Sequence, residues 1–154
     1  MVKKMIIRLG YVAISKALDI TSSGTITYTN YLKEENKNEK LDKIIKSNLE
    51  NLEKILNYNV KNNIHFYRLT SKLIPLATHK NVSFEYINTY KDYYDKISKI
   101  IDKNNMRVDV HPDQFCVLNS TNKETIDNSI EILKYHINIL EALKIKSPVI
   151  VLHT

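Results

Sequence analysis

Two short apolar runs in the second half of the chain each end on a histidine. Met106-Arg107-Val108-Asp109-Val110 leads into His111 and Pro112, and Val149-Ile150-Val151-Leu152 leads into His153. Imidazole nitrogens are ligands for first-row divalent metals, so two of them delivered side by side read as the beginning of a metal site. The other histidines differ in setting. His79 sits in a loop beyond Pro75, His65 opens an apolar run, and His136 lies beside Leu133, Ile137 and Leu140, where a packing role is expected. Cys116 is the only cysteine. It can form no intramolecular disulfide, which suits a reducing compartment, and a nucleophilic role would need a thiolate-stabilising environment that no neighbouring motif announces.

The elements that must position these side chains follow from periodicity. Met5 to Leu9, closed by Gly10, predicts a first strand, and Val12 to Glu39 a long loop holding one short helix. Leu41, Ile44, Ile45, Leu49, Leu52, Ile55, Leu56 and Val60 recur at helical spacing, and Asn62-Asn63 ends that helix. Ile64 to Thr70 predicts a second strand and Ser71 to Ser83 a loop. Tyr86 to Asp102 predicts a second long helix, closed by Asn104-Asn105. Met106 to His111 is a third strand, Ile126 to Leu143 marks a third helix, and Val149 onward is a fourth strand. The order βαβαβαβ implies right-handed crossovers and a parallel sheet, about half of a (β/α)8 barrel. In such a sheet the carboxyl ends of the strands gather at one rim, where ligands bind, and His111 and His153 both fall there. No G-x-G-x-x-G follows the first strand, which disfavours a dinucleotide site.

Within the third strand Arg107, Asp109 and His111 share one face, and Val108 and Val110 the other. Charges on one face of a parallel strand suit a barrel interior with chemistry near its top, where Arg107 and Asp109 would pair or support the ligands. An edge strand with one wet face remains the alternative.

Composition sets the class. With 154 residues, 43% hydrophobic and 26% charged, the chain suits one globular domain and not a disordered segment. Its net charge of +6, carried mostly by lysine, favours a polyanionic partner such as nucleic acid, although a Lys-, Asn- and Ile-rich chain is also what an AT-rich genome encodes. There is no membrane-spanning run and no signal-peptide h-region, so the expected location is cytoplasmic.

The motifs Arg8-Leu9-Gly10-Tyr11, Tyr67-Arg68-Leu69-Thr70-Ser71, Leu73-Ile74-Pro75 with His79, His111-Pro112-Asp113-Gln114, Val117-Leu118-Asn119-Ser120 and Leu133-Lys134-Tyr135-His136 occur in one order along the chain. Together they resemble the ultraviolet damage endonucleases, ATP-independent DNA-repair enzymes. The resemblance implies a TIM-barrel enzyme that nicks double-stranded DNA immediately 5′ of pyrimidine dimers and 6-4 photoproducts. It implies a cluster of divalent metals, manganese above all with zinc or magnesium as substitutes, to which His111 and His153 would be ligands, and His79 as a further histidine of the active centre. Gln114 and Phe115 match the pair that probes the duplex, and Tyr11 an aromatic residue near the lesion pocket.

There are departures. Phe115 stands where the family has tyrosine, and Ser15 where an asparagine is expected. Family members also run on through four more barrel strands that carry the remaining ligands. Residues 1–154 are therefore expected to be the amino-terminal half of the barrel domain, impaired in activity and prone to self-association through exposed barrel edges. A catalytically inert DNA-binding fragment and a metal-dependent sugar isomerase-like barrel are the competing readings.

Overall fold

The computed structural model describes residues 7–152. Its elements, in chain order, are β1 (Gly10–Val12), α1 (Tyr28–Lys33), α2 (Lys37–Lys61), β2 (Phe66–Leu69), α3 (Lys91–Lys103), β3 (Arg107–Val110) and α4 (Lys123–Ala142). The three strands form one parallel sheet in the order β1-β2-β3. A parallel bridge between Val110 and Ile150 begins a fourth position, held by Val110 N–H to Val149 O (3.2 Å) and Val151 N–H to Val110 O (3.0 Å). This is the half-barrel architecture that the βαβ pattern implies.

Burial explains why the helices stay where they are. Leu41, Ile45, Leu49, Leu52, Ile55 and Leu56 form one buried stripe along α2, and Tyr94, Ile97 and Ile101 do the same on α3. Both stripes join Tyr67, Leu69, Val108 and Val110 in a single core on the helix side of the sheet. The left-handed residues Asn63 (φ 57°) and Asn105 (φ 47°) terminate α2 and α3, as the paired asparagines indicate.

Several boundaries differ from expectation. The first strand lies at Gly10–Val12 and not at Met5–Leu9, of which residues 5 and 6 fall outside the described part. Gly10 is inside the ladder opposite Phe66, and a Cβ there would come within 2.1 Å of the Phe66 carbonyl oxygen. Glycine here allows close strand approach; it does not close the strand. The helix expected from Tyr86 starts at Lys91. The Glu85 carboxylate accepts the backbone N–H groups of Ile87 (2.7 Å) and Asn88 (3.3 Å), offering that segment a turn in place of a helix. The fourth strand is limited, among the described residues, to the bridge at Ile150.

One buried polar residue ties two rim loops to the scaffold. Asn48 of α2 donates to the carbonyls of Gly24 (2.8 Å) and Leu73 (3.0 Å) and accepts the Gly24 N–H (2.7 Å). Asn48→Ala would leave those backbone groups without partners, and each such loss costs about 1–3 kcal/mol. Chemical denaturation of the variant should show a loss of roughly 2–4 kcal/mol; a change within the error of the parent would mean that water replaces the amide.

Candidate active site

Register determines which side chains share the inner face. Gly10, Phe66 and Arg107 are aligned in one row, and Val12, Arg68 and Asp109 in the next. Both rows lie on the side of the sheet away from the helices. Asp109 is only 2% exposed there and receives Arg68 Nε at 2.8 Å and Nη2 at 3.4 Å. Of the two roles expected for Arg107 and Asp109, the mutual pairing does not form. Parallel register sets Arg68 directly opposite Asp109, whereas Arg107 lies opposite Phe66 and its guanidinium rests 5.8 Å from that ring. Arg68 belongs to a quoted motif, but nothing in its spacing assigned it a partner.

His111 follows β3 directly, in phase with Arg107 and Asp109, at the carboxyl rim and half buried. His153 lies outside the described residues. Among the described residues no three His, Cys, Asp or Glu side chains are grouped to hold a metal ion. These residues therefore present one rim imidazole from β3, which is not by itself a metal centre.

The loop after β3 is built to display its tip. Asp113 accepts the Phe115 N–H on its carboxylate (2.9 Å) and the Cys116 N–H on its backbone carbonyl (3.1 Å), closing a tight turn. Cys116 is buried beneath the turn, and Val117 N–H donates to Ser129 Oγ of α4 (2.8 Å). Gln114 and Phe115 are thereby held outward, with Phe115 70% exposed. Burying such a ring would gain about 1.5–3 kcal/mol, so its display on a pinned turn favours a contact surface over packing. Burial raises the Cys116 thiol above its usual range, which agrees with a packing and not a nucleophilic role.

His79 lies in the loop after β2, on the same rim. Its ring stacks on Tyr28 of α1 at 4.1 Å between centroids, and its Nδ1 accepts the Asn81 N–H at 3.3 Å. Tyr11 is set apart from this group. It aligns with Tyr67 on the helix side, meets that ring edge-on at 5.3 Å, and its hydroxyl donates to Asn59 Oδ1 of α2 at 2.7 Å. Of the expected site residues, the rim thus gathers His79, His111, Gln114 and Phe115 on consecutive βα loops and turns the Tyr11 hydroxyl inward.

His136 packs inside, as its apolar neighbours indicate. It is 2% exposed, its Nε2 has no hydrogen-bond partner, and burial lowers its pKa to about 4 despite the opposing pull of Asp113; His111 adds to the lowering. The unfolded chain binds this proton near pH 6.5 and the folded chain only near 4, so the contribution is complete above about 6.5 and is lost as pH falls toward 4. Metal-free unfolding measured across that window should show a decline on the order of 3 kcal/mol that His136→Leu flattens. An equal decline in the variant would place the pH sensitivity elsewhere.

The comparisons with known proteins agree with this architecture. The family model of UV-endonuclease UvdE matches residues 7–154. The chain is 40% identical over 144 residues to the UV DNA damage endonuclease of Bacillus mycoides (strain KBAB4), and 38% identical to that of Bacillus cereus (strain B4264). In both cases 92% of this chain aligns with 45% of the relative, so the chain spans about half the length of the curated relatives it matches. A crystal structure of SacUVDE superimposes with a TM-score of 0.88 at 32% identity, covering 96% of this chain and 49% of that one.

Proposed function

The chain belongs to the UV-endonuclease UvdE family, and from that membership we propose that residues 1–154 form the amino-terminal half of a barrel that repairs double-stranded DNA. The proposed reaction is phosphodiester hydrolysis immediately 5′ of a pyrimidine dimer or 6-4 photoproduct. The observation that carries the reading is the pinned turn that displays Gln114 and Phe115 in the loop that follows His111 at the carboxyl rim of the sheet.

An exposed aromatic ring on a rigid loop can enter a base stack, where it gains about 1–3 kcal/mol per base contacted. The cost of opening the stack is least where a lesion has already weakened it. Phe115 would supply that wedge, and Gln114 the amide that hydrogen-bonds exposed base edges. His79 would contact the backbone phosphate. Tyr11 would take part in the lesion pocket through its ring, since its hydroxyl proton is donated to Asn59. Divalent manganese, with zinc or magnesium as substitutes, would polarise the phosphate and activate water when bound. His111 and His153 would contribute to holding it, with further ligands from outside residues 7–152. This chain's own share of the chemistry is then binding and orientation. Work on DNA implies a cytoplasmic site of action, and no helix among the described residues is long and apolar enough to cross a membrane. The open inner face further implies self-association.

Fluorescence anisotropy with a duplex carrying one cyclobutane dimer and with its undamaged twin tests the reading. Preference for the damaged duplex, lost in Phe115→Ala, is the expected result. Equal affinity for both, falling steeply with salt, would favour a non-specific lysine-driven binder. With manganese added, the 154-residue polypeptide should not nick the damaged strand; robust lesion-specific nicking would refute the view that it supplies only part of the centre.

A further inference from the structure

The His79 imidazole is fixed from two directions. Tyr28, the first residue of α1, lies almost parallel to it, at an interplanar angle of 22°. Tyr28 is itself backed by Tyr31, at 6.4 Å, whose hydroxyl donates to Asn38 Oδ1 at 2.7 Å. The peptide around His79 is equally constrained: its N–H donates to Leu76 O (3.0 Å) and its carbonyl accepts the Val82 N–H (2.8 Å). With the ring plane set by the stack, Nδ1 meets the Asn81 N–H.

A neutral imidazole has one N–H and one lone pair. The Asn81 N–H occupies the lone pair of Nδ1, so the ring proton must reside on Nε2. A metal-binding histidine needs the reverse arrangement, with the distal nitrogen donating and the ligating nitrogen bare. We propose that Tyr28 is a positioning residue that, together with the Asn81 N–H, holds His79 in the Nε2–H form, so that His79 donates a hydrogen bond to a DNA backbone phosphate and does not bind the metal. The proposal rests on the reading of this rim as a DNA-binding surface, and it divides the rim histidines by role. His111 is left for metal, and His79 becomes an anion donor whose ring plane is held by its stack on Tyr28.

Histidine-selective nitrogen-15 spectra of the metal-free 154-residue chain test it directly. The parent should show a pyridine-type Nδ1 and a pyrrole-type Nε2 for His79, with its ring protons shifted upfield by the tyrosine face. Tyr28→Phe should retain both signatures, and Tyr28→Ala should lose the upfield shift and mix the tautomers. A pyrrole-type Nδ1 in the parent, or an unchanged His79 in Tyr28→Ala, would overturn the proposal.

A short undamaged duplex should perturb Nε2 of His79, and Tyr28→Ala should weaken its binding on the order of 2- to 10-fold with rescue by Tyr28→Phe. Zinc titration should move His111 and leave His79 in place; a metal-type shift at His79 Nε2 would also overturn the proposal. If the stack and tautomer are as expected but the duplex binds nowhere, the DNA-binding reading itself fails, and with it the phosphate role of His79.

Discussion

Arg68→Met should destabilise the chain by about 3–5 kcal/mol, because it strands the Asp109 carboxylate in a site from which water is almost excluded. Total stabilities of domains this size are of the order of 5–15 kcal/mol, so such a loss would remove a large share of the stability. Urea melts followed by circular dichroism would measure it. The double variant Arg68→Met with Asp109→Leu should recover most of the loss, since the cost comes from the unpaired charge and not from the missing attraction. Arg68→Lys should fall between, because an ammonium cannot reproduce the two-pronged contact of Nε and Nη2. A single Arg68→Met variant within about 0.5 kcal/mol of the parent would show that Asp109 finds solvent or another donor. The effect should extend to the rim, because Asp109 precedes His111 by two residues on the same face of β3. Loosening this pair frees the strand end that aims the imidazole.

That pair also marks where the sequence stops being informative. Period-two alternation in Arg107-Val108-Asp109-Val110 was enough to assign faces, since alternation is local. The partner of Asp109 depends on the parallel register of β2 against β3, which is a non-local quantity. Register here is settled by how the helix-side core fills, which is not written in any short window. The same division runs through the rim. The loop after β3 was legible because a histidine-ended strand and Pro112 announce it, whereas the pair Gln114-Phe115 at its tip was singled out only by the family resemblance. The stack of Tyr28 on His79 was not, since the two lie 51 positions apart, with α2 and β2 between them, and each falls in a stretch that has no periodic pattern of its own. Asn48 and Asn59 are a third case. Each sits on the buried stripe of α2, where a polar residue interrupts the apolar spacing. Those interruptions were the available clue to buried hydrogen bonding, and they locate Asn48 against the rim loops and Asn59 against Tyr11. Tyr11 shows the converse risk. Its neighbours Gly10 and Val12 face inward, so one step of strand parity turns its hydroxyl toward α2.

In solution the chain should behave as a concentration-dependent dimer. On the inner face Val12 is 51% exposed, and Ile14 just beyond β1 is 71% exposed. On α4, Ile137 and Leu140 line an apolar groove of about 180 Å³ with Ile145, Pro148 and Ile150. Among the described residues β1 pairs only with β2, and the segment at Ile150 only with Val110, so both sheet edges keep unpaired backbone groups. A second copy is the occupant proposed for both edges. This chain superimposes on 49% of the SacUVDE chain, so two copies together have about the length of that chain. Closing a barrel removes its free edges and covers the inner face at the same time. Sedimentation equilibrium should therefore give a mass that rises from 18.0 kDa toward twice that value with concentration. Ile137→Lys, which sets a charge in the groove, should weaken association roughly tenfold or more without loss of helix content. An 18.0 kDa species at every concentration, in parent and variant alike, would mean that the exposed face is stable in water as it stands. Association unchanged by Ile137→Lys would move the contact to the inner face alone, where Ile14→Lys is the corresponding test.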